Sequence, residues 1–183
     1  MPTKTLTLSA MIAAVLYISA QLAFLLPMIS PVPITLQVFA ICLFPLILPL
    51  SISVTGMIVY LTLGAIGLPV FAQAKGGMAT FFGPTGGYLI GFLLATIVIA
   101  YAVKIFSRPT IWRNLALCIV GLLISYGCGV VGLMLVLNVS FAKALIIGVV
   151  PFIAGDLIKI VLASSVALAV AKRLDVSTLT QQQ

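Results

Sequence analysis

The residues with the clearest chemical potential are Asp156 and Lys159, which stand three positions apart in an otherwise apolar stretch, residues 149–171. A charged side chain at the centre of a membrane helix costs at least about 2.5 to 3.5 kcal/mol on insertion scales. Residues three apart project from the same helical face, so these two can pair with each other or bind a ligand together. The pair therefore predicts an intramembrane binding site for a small polar molecule.

A purely structural role for this pair is the main alternative. An ion pair packed inside a bundle can offset its own desolvation without binding anything, and is often no better than hydrophobic packing. In the ligand-binding interpretation, the ammonium of Lys159 donates hydrogen bonds to the ligand and the carboxylate of Asp156 accepts them. A ligand would explain why so costly a pair occurs in a chain with only two acidic residues.

The composition indicates an integral membrane protein. The 183 residues are 63% hydrophobic and 6% charged, whereas about a quarter of the residues in soluble domains are charged. The net charge is +7, but the basic residues are scattered singly along short loops, which argues against nucleic-acid binding. Cys42, Cys118 and Cys128 lie in apolar runs without metal-like spacing and the chain has no histidine, so we predict no metal site, disulfide or cofactor.

The elements that must position the pair are six predicted membrane helices. A bilayer core needs roughly 20 apolar residues per helix, and Pro, Gly and charge clusters divide the chain into six such segments. They are residues 6–26, 34–49, 51–66, 85–105, 113–137 and 149–171. We predict an all-α, six-helix membrane bundle forming one domain over residues 1–183, with the short second and third helices meeting at residues 49–51.

The lysine and arginine distribution predicts the orientation, because cytoplasmic loops carry an excess of these residues. One side would carry Lys4, Lys104, Arg108, Arg113, Lys172 and Arg173, and the other only Lys75 and Lys143. Both termini are then cytoplasmic, and segments 27–33, 67–84 and 138–148 face outward. Asp156 would lie about 10 Å below the outer end of the last helix.

The long segment between the third and fourth helices, residues 67–84, is predicted to be an outward-facing loop over the site. Loops of this length are usually lids or binding loops, or else disordered, and the apolar content here argues against disorder. Its glycines permit close backbone approach to a ligand, while Phe81, Phe82 and Tyr88 offer apolar walls. Alternatively, the glycines only make a turn and a helix start at Thr85.

Small residues at four-residue spacing suggest close helix packing. Gly83, Gly87 and Gly91 have this spacing at the start of the fourth helix. In the first helix Ala10 and Ala14 suit docking to another membrane protein. The last helix carries a similar stripe, residues 163, 167 and 171, for which internal packing is an equally good explanation.

The sequence argues against an enzyme. The Gly-rich segment lacks the lysine of a phosphate-binding loop, so we expect no ATP hydrolysis by the chain itself. It also lacks a serine elbow, a catalytic histidine and a second acidic residue near Asp156. Proton coupling through Asp156 stays open in principle, although Lys159 should hold it ionised.

Four ordered motifs, spread over nearly the whole chain, resemble those of the BioY family. They are residues 31–37 (PVPITLQ), 67–72 (GLPVFA), 83–92 (GPTGGYLIGF) and 151–159 (PFIAGDLIK). These proteins are the biotin-binding S components of energy-coupling-factor (ECF) transporters. The resemblance implies a subunit of the bacterial cell membrane that captures extracellular biotin with high affinity. It also implies a transmembrane coupling subunit and two cytoplasmic ATPase subunits as partners.

The resemblance also implies roles for individual residues. The polar pair of the family falls on Asp156, expected to accept the ureido N–H bonds of biotin, and Lys159, expected to donate to the ureido carbonyl or a neighbouring polar group. Further candidate contacts are Thr35, Gln37, Tyr88, Phe81, Phe82, Gly83, Thr85 and Gly86. The biotin carboxylate could be held by loop N–H groups of residues 83–87 or by Lys75. Ala10 and Ala14 match the pattern through which S components meet the coupling subunit.

Two other functions stay open at this point. A self-sufficient carrier or channel of the same shape would move its solute without ATPase partners. A structural membrane protein would use Asp156 and Lys159 only for packing and would bind no ligand.

Overall fold

The computed structural model describes residues 3–23, 30–106 and 108–173, and within these ranges the protein consists of helices joined by turns and short 3-10 segments. The seven α-helices of this part are α1 (Thr3–Gln21), α2 (Gln37–Ile47), α3 (Leu50–Ala65), α4 (Gly86–Ile105), α5 (Ile111–Leu137), α6 (Phe141–Gly148) and α7 (Ile153–Arg173). The all-α prediction is confirmed. Parts of the first predicted helix (residues 24–26), of the first outward segment (27–29) and of both termini lie outside the described residues.

Length divides the described helices into those that can cross a bilayer and those that are shorter. Helices α1, α4, α5 and α7 are long and apolar enough to span the membrane, while α2 and α3 are apolar but shorter. The count of six spans therefore stays a prediction. The short helix α6 lies in a segment predicted to be an outward loop, and residues 149–152 form turns, so α7 begins at Ile153.

Two prolines set the boundary between α2 and α3. Pro45 lies inside α2 and has no N–H to donate, and the helix ends two residues later at Ile47. Leu48 precedes Pro49 and is extended, with φ −123° and ψ 151°, as steric conflict with the proline ring requires. Pro49 then caps α3 as its carbonyl accepts from the N–H of Ser53.

Glycines let α4 lie directly against α5. A Cβ atom at Gly87 would clash with the carbonyl of Cys128, and one at Gly91 would lie 2.8 Å from Ser125 Cα. Without a hydrophobic drive between helices in lipid, such backbone contact carries much of the association. This packing holds Ser125 and its neighbour Tyr126 beside α4.

The alanine stripes of α1 and α7 differ in their surroundings. Ala10 and Ala14 are exposed on α1, whose opposite face packs Ile12 against Gly56 of α3. Ala163 and Ala167 are buried in α7, which packs against α2 and α5. The α7 stripe therefore serves internal packing, whereas the α1 stripe is free to meet another surface.

Residues 66–85, between α3 and α4, lie over one end of the bundle, and we call this segment the cover. Gly67, with φ 106°, ends α3 in a Schellman motif in which Gly67 N–H donates to Gly64 O and Leu68 N–H to Leu63 O. Two short 3-10 helices follow, Ala72–Ala74 and Met78–Phe82. The chain between them returns to α3, since Gly77 N–H also donates to Gly64 O.

Candidate functional site

A cavity that is partly open to solvent lies beside Asp156. Its walls come from the segment before α2, from α2 itself, from the cover after α3 and from the facing sides of α4, α5 and α7. The lining residues are Val32, Pro33, Thr35, Gln37, Val38, Phe71, Ala72, Thr85, Tyr88, Leu89, Phe92, Ser125, Tyr126, Phe152 and Asp156. The site is thus an apolar cleft with a few polar groups.

Both carboxylate oxygens of Asp156 have protein partners. Lys159 Nζ lies 2.6 Å from Oδ1, one turn along the same face of α7, as the three-residue spacing predicts. The hydroxyl of Tyr126 donates to Oδ2 at 2.8 Å. Asp156 is only 3% exposed and lies in the first turn of α7, where the helix dipole favours a negative charge. The geometry therefore keeps a carboxylate fixed at the cavity wall.

Lys159 lies behind the carboxylate. Its side chain is buried, and it is not among the described residues that line the cavity. The lysine thus compensates the charge of Asp156, and a direct bond from its ammonium to a ligand stays a prediction.

Tyr126 is a site residue that sequence reasoning missed. It lies on α5, 30 positions before Asp156, and reaches the carboxylate because α5 packs against α7. One signal was available, since a tyrosine hydroxyl in a membrane helix needs a hydrogen-bonding partner. The sequence does not show which residue accepts the hydrogen bond from Tyr126.

The predicted contacts Thr35 and Gln37 belong to one hydrogen-bonded chain at the start of α2. The Thr35 hydroxyl donates to Gln37 Oε1 at 3.2 Å, and Gln37 Nε2 donates to the Tyr60 hydroxyl at 3.0 Å. Tyr60 in turn donates to the carbonyl of Val70 in the cover, at 3.2 Å. This chain fixes the orientation of the Gln37 amide at the cavity wall and ties it to the cover.

Tyr88 lines the cavity with its ring. Its hydroxyl donates to the carbonyl of Gly148 at the end of α6, and its ring lies so close to Gly129 that any Cβ there would clash. The hydroxyl proton is therefore committed within the protein. The expected role of Tyr88 as an apolar wall fits this arrangement.

The cover contributes Phe71, a second residue that sequence reasoning did not single out. Phe71 is 2% exposed and its ring meets the rings of Tyr60 and Phe81 edge-to-face, at centroid distances of 5.5 Å for both. Phe81 thus supports the wall from behind, and Phe82 is 75% exposed. Neither Phe81 nor Phe82 is among the described lining residues, so Phe71 is the aromatic wall on this side.

The glycine turn before α4 is engaged in its own backbone bonds. Gly83 N–H donates to Thr80 O and Gly86 N–H to Gly83 O. A Cβ at Gly86 would clash with the carbonyl of Phe81, so this glycine is needed for a close backbone approach. Thr85 lines the cavity. The structure thus supports the turn-and-helix-start alternative for Gly83 and Gly86, and their predicted contact with a ligand stays a prediction.

Gln21, the last residue of α1, fastens the cover to the bundle. Its Nε2 donates to Phe71 O at 3.0 Å and lies 3.4 Å from Pro69 O, while its Oε1 accepts from Ala74 N–H at 3.2 Å. Gln73 and Ala74 both have positive φ angles, 63° and 54°, which are uncommon for residues with a Cβ. One amide side chain therefore holds this strained turn, with Phe71, against the end of α1.

Comparison with known proteins identifies relatives of the chain. Residues 1–176 match the model of the BioY family. The chain is 41% identical over 144 residues to the biotin transporter BioY of Thermotoga maritima, covering 79% of this chain and 83% of the relative. It is 35% identical over 170 residues to biotin transporter BioY2 of Lactococcus lactis, covering 93% and 91%.

A solved structure has the same fold. It is a 2.1 Å crystal structure of the S component for biotin from an ECF-type ABC transporter. The two chains superpose with a TM-score of 0.85 at 31% identity, over 92% of this chain and 91% of the other.

Proposed function

The chain belongs to the BioY family, and from that membership we propose that it is the biotin-binding S component of an ECF transporter. It captures biotin from outside the cell and passes it inward with the help of partner subunits. The observation that carries the proposal is the apolar cavity with a buried carboxylate at its wall, Asp156, whose two oxygens each have one protein partner and can each accept a further bond. If Asp156 and Lys159 served helix packing alone, they would need no cavity beside them.

The chemistry of the cavity suits biotin. Its ureido ring carries two N–H donors and one carbonyl acceptor, its thioether ring is apolar, and its aliphatic tail ends in a carboxylate. Asp156 accepts from the ureido group, and such charge-assisted bonds are roughly twice as strong as neutral ones. Phe71, Tyr88 and Phe92 enclose the apolar rings. The tail carboxylate points away from Asp156, because two carboxylates close together in a cleft of low polarity repel each other.

The energy for transport comes from the partners. The exposed pair Ala10 and Ala14 on α1 forms a smooth strip on which a helix of the coupling subunit can lie closely. The coupling subunit in turn binds two cytoplasmic ATPases. The bundle sits with both termini in the cytoplasm and with the cover after α3 facing outward, in line with the distribution of lysine and arginine.

Binding of biotin to the purified chain in detergent tests the proposal. At 100 times its dissociation constant, biotin should stabilise the fold by about 2.7 kcal/mol, which a thermal-unfolding assay detects. Asp156→Asn should weaken binding by about 2 kcal/mol or more, because a charge-assisted bond is lost and Lys159 is left without its counter-ion. Lys143→Ala, on the exposed face of α6, is the matched control and should bind as wild type does. Wild-type protein that neither binds nor is stabilised by biotin would contradict the proposal.

Uptake assays separate this function from that of a self-sufficient carrier. Cells that make the chain without any coupling subunit should bind biotin at their surface but not accumulate it. Accumulation in such cells, at the rate seen with the partners present, would favour the carrier.

A further inference from the structure

The polar groups on the α5 and α7 side of the cavity have already committed their protons. The Tyr126 hydroxyl donates to Asp156 Oδ2 at 2.8 Å, and the Ser125 hydroxyl donates to Gly121 O at 2.9 Å. A hydroxyl has one proton and two acceptor lone pairs, and an ionised carboxylate has acceptors only. All three side chains line the cavity. Toward a ligand, this side therefore offers acceptors and no donor.

We propose that Tyr126 is a specificity-determining residue, which together with Asp156 forms an acceptor-only wall that selects ligands by their N–H donors. The inference rests on the proposed function and extends it. Tyr126 is not needed to balance the charge of Asp156, since Lys159 already does so. The phenol proton is donated to the Asp156 carboxylate, and this leaves the phenol oxygen to accept from the ligand.

This wall discriminates by repulsion as well as by attraction. A ligand with an oxygen atom in place of an N–H is almost unchanged in size, but it would set its lone pairs against those of the wall. A site built to bond an N–H rejects an analogue lacking it far more strongly than a hydrophobic pocket rejects a change of one methylene. The ureido group of biotin, with two N–H donors, meets the requirement of the wall at both nitrogens.

Two cyclic-carbamate analogues of biotin, each with oxygen in place of one ureido N–H, provide the test. Dissociation constants are measured by calorimetry in detergent for the wild type, for Tyr126→Phe, and for Tyr101→Phe as a control. Tyr101 is 57% exposed on α4 and is not among the residues described as lining the cavity.

In wild type and in Tyr101→Phe, both carbamates should bind at least about 100-fold more weakly than biotin. Tyr126→Phe should weaken biotin binding about tenfold, because the ureido N–H that donated to the phenol oxygen is left without a partner. For one of the two carbamates, the ratio of its dissociation constant to that of biotin should be about tenfold smaller in Tyr126→Phe than in wild type. The phenol oxygen that opposed the carbamate oxygen is absent from this variant. A structural role for Tyr126 would instead weaken all three ligands by the same factor.

Failure of this inference is distinguishable from failure of the proposed function. Suppose that wild type binds biotin, but that the ratio of each carbamate's dissociation constant to that of biotin is the same in Tyr126→Phe as in wild type, within a factor of two. Tyr126 then does not contribute to ligand selection, and only the inference is wrong. Wild-type protein that binds no biotin overturns both. Carbamates that bind to wild type within threefold of biotin would also overturn the inference, because the wall would then not be selective, whether or not Tyr126→Phe folds.

Discussion

Removing the charge of Lys159 separates its structural role from ligand binding. Lys159→Met takes away the ammonium that lies 2.6 Å from Asp156 and leaves a carboxylate that is 3% exposed. Breaking a buried pair in this way costs about 3 to 5 kcal/mol. Because Tyr126 still donates to the other oxygen, we expect the lower end, about 3 kcal/mol. For a chain of this size that corresponds to a melting temperature about 6 to 12 °C lower.

The double variant Asp156→Asn with Lys159→Met should recover most of that stability. Both charges are then gone and the amide introduced at position 156 can still accept from Tyr126, so we expect unfolding within about 1 kcal/mol of wild type. Biotin binding should not recover, and the double variant should bind at least about 30-fold more weakly than wild type.

Thermal unfolding without ligand and calorimetry with biotin measure the two effects separately. Lys143→Met, which changes an exposed lysine on α6, is the control and should leave both unchanged. A double variant that binds biotin as wild type does would refute the reasoning, because Asp156 and Lys159 would then serve packing alone.

Three further predictions follow from the contacts around the site. Gln21→Glu removes the donor that holds the cover, so biotin should dissociate about 5- to 30-fold faster in stopped-flow measurements; an unchanged rate would show that the cover is held by other contacts. Gly87→Leu should destabilise the fold by about 1 to 3 kcal/mol or more by forcing α4 away from α5. The control Gly127→Leu, whose glycine has open space around it, should cost much less, and equal costs would contradict the close packing. Ala10→Trp with Ala14→Trp should abolish biotin uptake in cells that contain the partners, yet leave biotin binding in detergent intact; normal uptake would place the coupling subunit elsewhere.

Local patterns in the sequence predicted what is local in the structure. The apolar runs between proline and glycine clusters gave the helical class and the positions of the long helices. The pairing of Asp156 with Lys159 followed from their three-residue spacing on one helix. Gly87 and Gly91 likewise pack as their four-residue spacing predicts.

Contacts between distant parts of the chain were not accessible in the same way. Tyr126 reaches Asp156 across 30 positions, and Gln21 reaches the cover across about 50. No spacing rule relates residues on different helices, because their meeting depends on how the helices are arranged. Helix α6 was missed for another reason: its eight residues are too few for a membrane span, and its start is marked only by Ser140, whose hydroxyl accepts from Lys143 N–H.

A structure of the chain with biotin bound tests the central claim most directly. The ureido ring is predicted to lie in the cavity between α4, α5 and α7, with a nitrogen within hydrogen-bonding distance of the Asp156 carboxylate. The tail carboxylate is predicted to point toward the cover that carries Phe71. Biotin bound at another place, with the cavity beside Asp156 filled by aliphatic side chains, would contradict the account.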